Sequence, residues 1–313
     1  SMGTARNDFS LISLAPASPT NVLAVGGTGI STSERFNGTN AWAASTGDFS
    51  AGYFYPQMAA PTSDGNYVVL VDSNCTPYRF TTSTNTWSVG TTNPTPIQPY
   101  RYDAQILTIH SQGTILRLGG YYSSTYLNSG ERYKPSTDSW STPGNAASMT
   151  VPRDNPAFMA LDNNRLMVYG GYTGAIWSSS AEIYNASANT WSFTTGPIPN
   201  GGSASQGSRG LTGAFHGSGK LLSNSDQGLY IYDPAAAATP WTQLSTYNFG
   251  FYSMGSQGNV VSAGAKVLMV PVQPQGSSGA QTACKLFDFG DKGSFCSTTA
   301  ECRVEVENLG AVQ

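Results

Sequence analysis

Charged side chains are scarce in this chain. Asp, Glu, Lys and Arg make up 11% of its 313 residues, against roughly a quarter in average soluble proteins. The formal net charge is −3 and no basic run occurs, which excludes the electrostatic footprint of a nucleic-acid binder. No apolar stretch approaches the ~18–20 residues of a membrane-spanning helix; NYVVLV and KVLMVPV are strand-sized. Histidine occurs twice and cysteine four times. There is no Gly-x-Ser-x-Gly elbow, no His-Glu-x-x-His and no Cys-x-x-Cys pair, so the common hydrolase and zinc signatures are missing. GGTG at 26–29 follows a strand with no helix after it, and so lacks the setting of a phosphate loop. No segment carries a helical 3.6-residue period.

What is present is a core-forming composition on a polar background. Apolar residues reach 39%, with 17 Tyr and 6 Trp, enough to exclude a disordered chain. Ser, Thr, Asn and Gly must cover the surface in place of charge. Asn37, Asn74 and Asn185 begin Asn-x-Ser/Thr triplets, acceptors for glycosylation in a secreted chain. Cys75, Cys284, Cys296 and Cys302 permit two disulfides in three connectivities, and Cys296 with Cys302 could close a short loop. Low charge, sequons and clustered cysteines together point to an extracellular or cell-surface setting.

The dominant signal is repetition. ERYKPSTDSW (131–140), EIYNASANTW (182–191) and ERFNGTNAW (34–42) share one order: glutamate, aromatic, polar turn, tryptophan. Trp42, Trp87, Trp140, Trp191 and Trp241 are separated by 45, 53, 51 and 50 residues. Apolar strands precede them, three ending in a glycine pair: VLAVGG, ILRLGG and LMVYGG. Strand, Gly-Gly, variable loop, Glu-x-aromatic, turn and Trp at this period resembles the kelch repeat across nearly the whole chain. The resemblance implies an all-β fold, a six-bladed β-propeller with four antiparallel strands per blade, forming one domain over 1–313. The blades fall at about 6–45, 52–90, 101–142, 153–194, 209–245 and 252–307, the last closing with ECRVEVE (301–307). Glu34, Glu131 and Glu182 recur by architecture and are expected to satisfy neighbouring backbone.

Two enzyme readings follow from resemblance. YFYPQMAAPTSDGNYVVLV (53–71) is similar to a strand pair of the copper-radical oxidases, which also use kelch-like propellers. That family binds copper with two histidines and two tyrosines, one directly followed by histidine, and this chain has no Tyr-His step. HSQGTIL and HGSGKLL align His110 and His216 at the turn between the first two strands of blades 3 and 5, too far apart to share an ion. An inactive relative of those oxidases is one alternative. The other is a mutarotase-like sugar isomerase, whose acid–base chemistry needs few polar groups and leaves no motif.

Aligned blade entries give a candidate site. Arg6, Arg101, Arg153 and Arg209 occupy the entry position of four blades, and Tyr53 and Tyr252 that of two. In a propeller these entries ring one channel mouth, so the six residues are the expected ligand-binding set, suited to an anionic ligand. Asp8, Asp103 and Asp154 beside them suggest partial neutralisation. Around them run long polar loops with scattered aromatics, including YYSSTYLNSG (121–130) and YTGAIWSSS (172–180), the composition of recognition surfaces. The sequence thus predicts a non-enzymatic, monomeric binding module for a protein segment or glycan. No catalytic residue, cofactor, metal, nucleic acid or membrane span is expected. Copper titration followed by electron paramagnetic resonance checks the metal expectation: no stoichiometric site and no radical signal should appear.

Overall fold

The computed structural model describes residues 3–4, 10–14, 22–26, 30–36, 42–49, 59–62, 64–72, 74–94, 100–102, 104–141, 145–154, 156–195, 214–215, 221–225, 228–236, 240–245, 259–263, 266–270 and 285–288. Among them lies no α-helix, so none is long and apolar enough to cross a membrane. Short strands pair antiparallel into successive sheets, each built from consecutive strands in chain order. Sheet 1 comprises Ser10–Ser13, Val22–Val25, Ser33–Phe36 and Trp42–Ala44. Sheet 2 comprises Ala59–Pro61, Tyr67–Val71, Pro77–Thr81 and Thr86–Val89. Sheet 3 has Gln105–Ile109, Thr114–Leu118, Gly130–Lys134 and Ser139–Trp140.

Sheet 4 follows with Ala157–Ala160, Arg165–Tyr169, Ala181–Asn185 and Thr190–Phe193. Sheet 5 has Ala214–Phe215, Leu221–Ser225, Gly228–Tyr232 and Trp241–Ser245. Sheet 6 shows three strands, Asn259–Ala263, Lys266–Val270 and Lys285–Asp288. Its expected fourth strand, 301–307, is outside the described residues. The first strands of successive sheets are neighbours from sheet 1 through sheet 6. This is the inner-strand order of the propeller class.

The repeated aromatics explain how one sheet holds the next. Inside sheets 1 to 5 the third-strand ring lies directly opposite the fourth-strand tryptophan: Phe36 with Trp42, Phe80 with Trp87, Tyr133 with Trp140, Tyr184 with Trp191 and Tyr232 with Trp241. Their centroids are 4.9–5.4 Å apart, tilted as ring quadrupoles prefer. Three of the indoles also reach the preceding sheet. Trp87 Nε1 donates to Ser33 Oγ at 2.7 Å, Trp140 Nε1 to the Thr91 carbonyl at 2.8 Å and Trp191 Nε1 to the Ala147 carbonyl at 2.9 Å. Apolar clusters fill each seam: Val25, Leu70 and Phe80 between sheets 1 and 2, and Val71, Ala104 and Tyr133 between 2 and 3. Leu118, Val168 and Tyr184 fill the next seam, and Tyr169, Tyr230 and Trp241 the one after.

The polar turn between aromatic and tryptophan has its own task. Asn85, Asp138 and Asn189 stand two residues before their tryptophans with φ of 56°, 50° and 54°, the left-handed region that Asn and Asp tolerate best among non-glycine residues. Asp138 accepts from Tyr133 Oη at 2.6 Å and Thr91 N at 2.8 Å; Asn189 Oδ1 accepts from Tyr184 Oη at 2.8 Å and Ala147 N at 2.9 Å. Each therefore ties its own sheet to the chain leaving the one before. In the opposite direction, Arg35 Nη1 donates to the Thr82 carbonyl at 2.7 Å, Arg79 Nη1 to the Pro135 carbonyl at 3.0 Å and Arg132 Nη2 to Asn189 Oδ1 at 2.8 Å.

The glycine pairs mark a close backbone approach. Gly120 and Gly171 have φ of 91° and 82°, and just beyond them Tyr121 pairs with Tyr102, and Tyr172 with Asp154, through reciprocal 2.9 Å bonds. A Cβ on Gly120 would overlap the Tyr102 carbonyl oxygen and lie 2.9 Å from Ala104 N. Gly120→Ala should therefore destabilise by roughly 2–4 kcal/mol, combining left-handed strain with overpacking. Urea unfolding checks this as a lowered midpoint.

Candidate functional site

The entry arginines are the first test of the predicted site. Arg6, Tyr53, Arg209 and Tyr252 lie outside the described residues, as do His216, Cys284, Cys296, Cys302 and Asn37. Arg101 and Arg153 are described, and both are 0% exposed. Arg101 Nη1 donates to the carbonyls of Gly119 at 3.0 Å and Ser129 at 2.6 Å, and Nη2 to Ser129 Oγ at 2.9 Å. Arg153 repeats the pattern on Gly170 at 2.6 Å, Ser180 at 3.0 Å and Ser180 Oγ at 2.7 Å. Opposite each stands the repeated glutamate: Glu182 at 3.2 Å from Arg153, and Glu131 at 3.8 Å from Arg101.

These contacts correct the expectation of an open cationic ring at Arg101 and Arg153. Each fork satisfies the carbonyl that ends the second strand and the one that begins the approach to the third. The third-strand glutamate stands as counter-charge to each. Burial, the largest influence, pulls both guanidiniums below their ordinary range, with the glutamates opposing it. Two of the three glutamates act on backbone as expected: Glu34 accepts from Gly3 N at 2.7 Å and Thr4 N at 2.9 Å, Glu182 from Thr150 N at 2.6 Å and Val151 N at 3.1 Å.

Sheet 3 adds an ion the sequence reading did not single out. Arg117, 0% exposed, stands directly opposite Glu131 in the strand pairing and meets it at 3.4 Å. It also contacts the Cys75 Sγ and donates to the carbonyls of Asp72 and Arg101, both at 3.3 Å. Sheets 1 and 4 hold Ala24 and Val168 at the equivalent position. The Cys75 thiol is buried. Burial pushes that thiol up to about 11, against the pull of Arg117, which makes it a poor nucleophile at neutral pH. The signal for this cluster was a lone arginine inside the apolar strand TILRL.

His110 opens a 3-10 turn joining the first two strands of sheet 3, as its alignment predicts. It is half-buried, and burial lowers its pKa. No group of three or more metal-ligating side chains gathers among the described residues.

The open surface lies at the other loops. Past the glycine pair of sheet 3, Tyr121–Tyr122 and Thr125–Tyr126 form a small hairpin; past that of sheet 4 come Tyr172, Ile176 and Trp177. Ring centroids run Tyr121–Tyr126 at 5.1 Å, Tyr126–Tyr172 at 5.3 Å and Tyr172–Trp177 at 5.2 Å, while Tyr100 stacks on Tyr122 at 6.0 Å. Tyr100, Tyr102 and Ile176 are 46%, 37% and 65% exposed, and Ser123, Ser124 and Thr125 are exposed beside them. The two loops meet because Gly174, at φ 100°, lays its Cα against the Tyr126 ring, where a Cβ would come within 2.6 Å. The sequence displayed these loops as aromatic and polar; their assembly into one row depends on the sheet-to-sheet contact, which no local pattern shows.

Arg153 generates a test of the buried node. Arg153→Met should cost about 3–5 kcal/mol, because Glu182 is left buried without its cation. Arg153→Met combined with Glu182→Gln should recover part of that loss. Chemical denaturation of the three proteins checks both expectations.

Comparison with known proteins agrees with this geometry. The Kelch motif family matches residues 109–145 and 156–196, which hold most of sheet 3 and all of sheet 4. Human Kelch-like protein 4 is 44% identical over 61 residues, 20% of this chain and 8% of that protein. Kelch repeat and BTB domain-containing protein 1 of Camelpox virus (strain CMS) is 31% identical over 93 residues, 28% of this chain and 16% of that protein. The matches thus span a small part of each relative. With the same glutamate, aromatic and tryptophan order in sheet 1, and with successive sheets side by side, the chain carries Kelch motifs in an all-β fold of successive antiparallel sheets.

Proposed function

We propose that this chain is a protein-interaction module that engages its partner through the loops of sheets 3 and 4. The observation that carries the reading is the row of half-buried tyrosines and Trp177, bordered by the exposed Tyr100, Tyr102 and Ile176 and held on antiparallel sheets. Monomeric soluble proteins rarely expose a contiguous apolar patch without a use for it, and Tyr and Trp give large contact area at small conformational cost. The kelch repeat supports the reading. So does the burial of Arg101 and Arg153, which turns those two cations away from solvent. The six expected segments each hold one sheet, and the reading includes their closure into a six-bladed ring. A monomeric state and an extracellular setting belong to the same proposal, on the strength of the low charge and of Asn74, exposed in its sequon.

Affinity capture from cells of the source organism tests the reading, comparing the wild-type chain with a Tyr100→Ser/Ile176→Ser variant. Both positions are exposed, so the melting temperature should stay within a few degrees. Proteins enriched by the wild type should fall several-fold with the variant. Equal recovery by both would move the interface elsewhere on the molecule.

A further inference from the structure

We infer that the aromatic row selects an uncharged, proline-rich segment of its partner in polyproline II conformation. The inference rests on the interaction reading above and names the chemistry of the ligand. Its first ground is charge. The loops that build the row, 119–129 and 170–180, contain no Asp, Glu, Lys or Arg. The cation at the adjoining entry, Arg101, is enclosed and directed at Gly119 and Ser129. Loops without charge of their own give no advantage to an acidic or basic peptide, and burying such a peptide's charges against them carries a desolvation cost.

The second ground is hydrogen-bond sense. Among the described residues, no side-chain hydrogen bond engages the hydroxyls of Tyr100, Tyr102, Tyr121, Tyr122 or Tyr126, and Ser123, Ser124 and Thr125 are exposed next to them. All are hydroxyls able to donate, and the loops 119–129 and 170–180 carry no carboxylate of their own. Tyr126 has its pKa raised, by burial first and then by Tyr172 and Asp154, so it remains a donor at neutral pH. A proline-rich strand is the complementary ligand: its carbonyls accept and its prolines have no N–H to satisfy. Oligosaccharides present donors and acceptors in equal measure, and amide or carboxylate groups would better pair with them.

The third ground is shape. Neighbouring rings from Tyr121 to Trp177 are inclined at 50°, 78° and 52°, so the row is ridged rather than flat. Ridged aromatic grooves take pyrrolidine rings between their ridges, and a polyproline helix arrives preformed, with little entropy left to lose.

Fluorescence polarisation decides the matter with three labelled probes: a decaproline peptide, a glutamate-rich peptide of equal length, and a neutral glucan hexamer. Decaproline should bind wild type, with affinity nearly constant between low and high salt because no ion pair contributes. Tyr126→Ala should weaken it at least about tenfold. Gly174→Ala, which forces the ring aside without removing it, should weaken it as well. Preferential binding of the glutamate-rich peptide or of the glucan would overturn the inference. Absence of decaproline binding, with partner capture still dependent on Tyr100 and Ile176, would overturn it while leaving the interaction reading intact. Capture indifferent to those positions would overturn both.

Discussion

The structure depends on one node, in which a buried arginine, a glycine pair and a buried glutamate close the loop end of a sheet. In sheet 4 the Arg153 fork draws together Gly170, Ser180 and Glu182, and Glu182 then takes the amides of Thr150 and Val151. Six residues from three stretches of chain are fixed at once. Neither ion could stay buried alone, since an isolated charge in the interior costs several kcal/mol even after relaxation (~). Satisfying the node forces the chain to enter sheets 3 and 4 beside the end of their second strands. That in turn determines where the loops above it emerge.

From there the architecture is a matter of nearest neighbours. Tryptophan indoles and the turn Asn or Asp residues reach back one sheet, while Arg35, Arg79 and Arg132 reach forward one. No contact in this system needs a sheet beyond the adjacent one, as repeat architectures allow. The cluster of Cys75, Arg117 and Glu131 is an elaboration at one seam. It links the 2–3 turn of sheet 2 to the interior of sheet 3 with groups the other sheets lack.

Much of this could be read from residues in order. Tryptophan spacing, Gly-Gly pairs and Glu-x-aromatic triplets gave the repeat, because each is a local requirement of backbone conformation or cross-strand pairing. The candidate site was less legible. Arg101 and Arg153 looked like a ring facing a ligand because sequence reports that a cation is present and not which way it turns. What decides their direction is a set of backbone carbonyls, which every residue possesses and no motif displays. Conversely Tyr121, Tyr126 and Tyr172 were visible only as members of polar loops. They become one surface through Gly174, a residue whose relevance lies in the ring of another sheet.

The forward-reaching arginine stops after sheet 3. At the same position sheet 4 carries Ile183, which packs with Tyr169, Tyr230 and Trp241 instead. The earlier seams are thus clasped by directional bonds, whereas this one adheres by apolar contact alone at that point. Apolar adhesion tolerates sliding, has no preferred angle and weakens on cooling. The molecule therefore has a seam of a different material, one that responds to temperature and cosolvent apart from its neighbours and begins immediately beside the sheet that displays Tyr172 and Trp177.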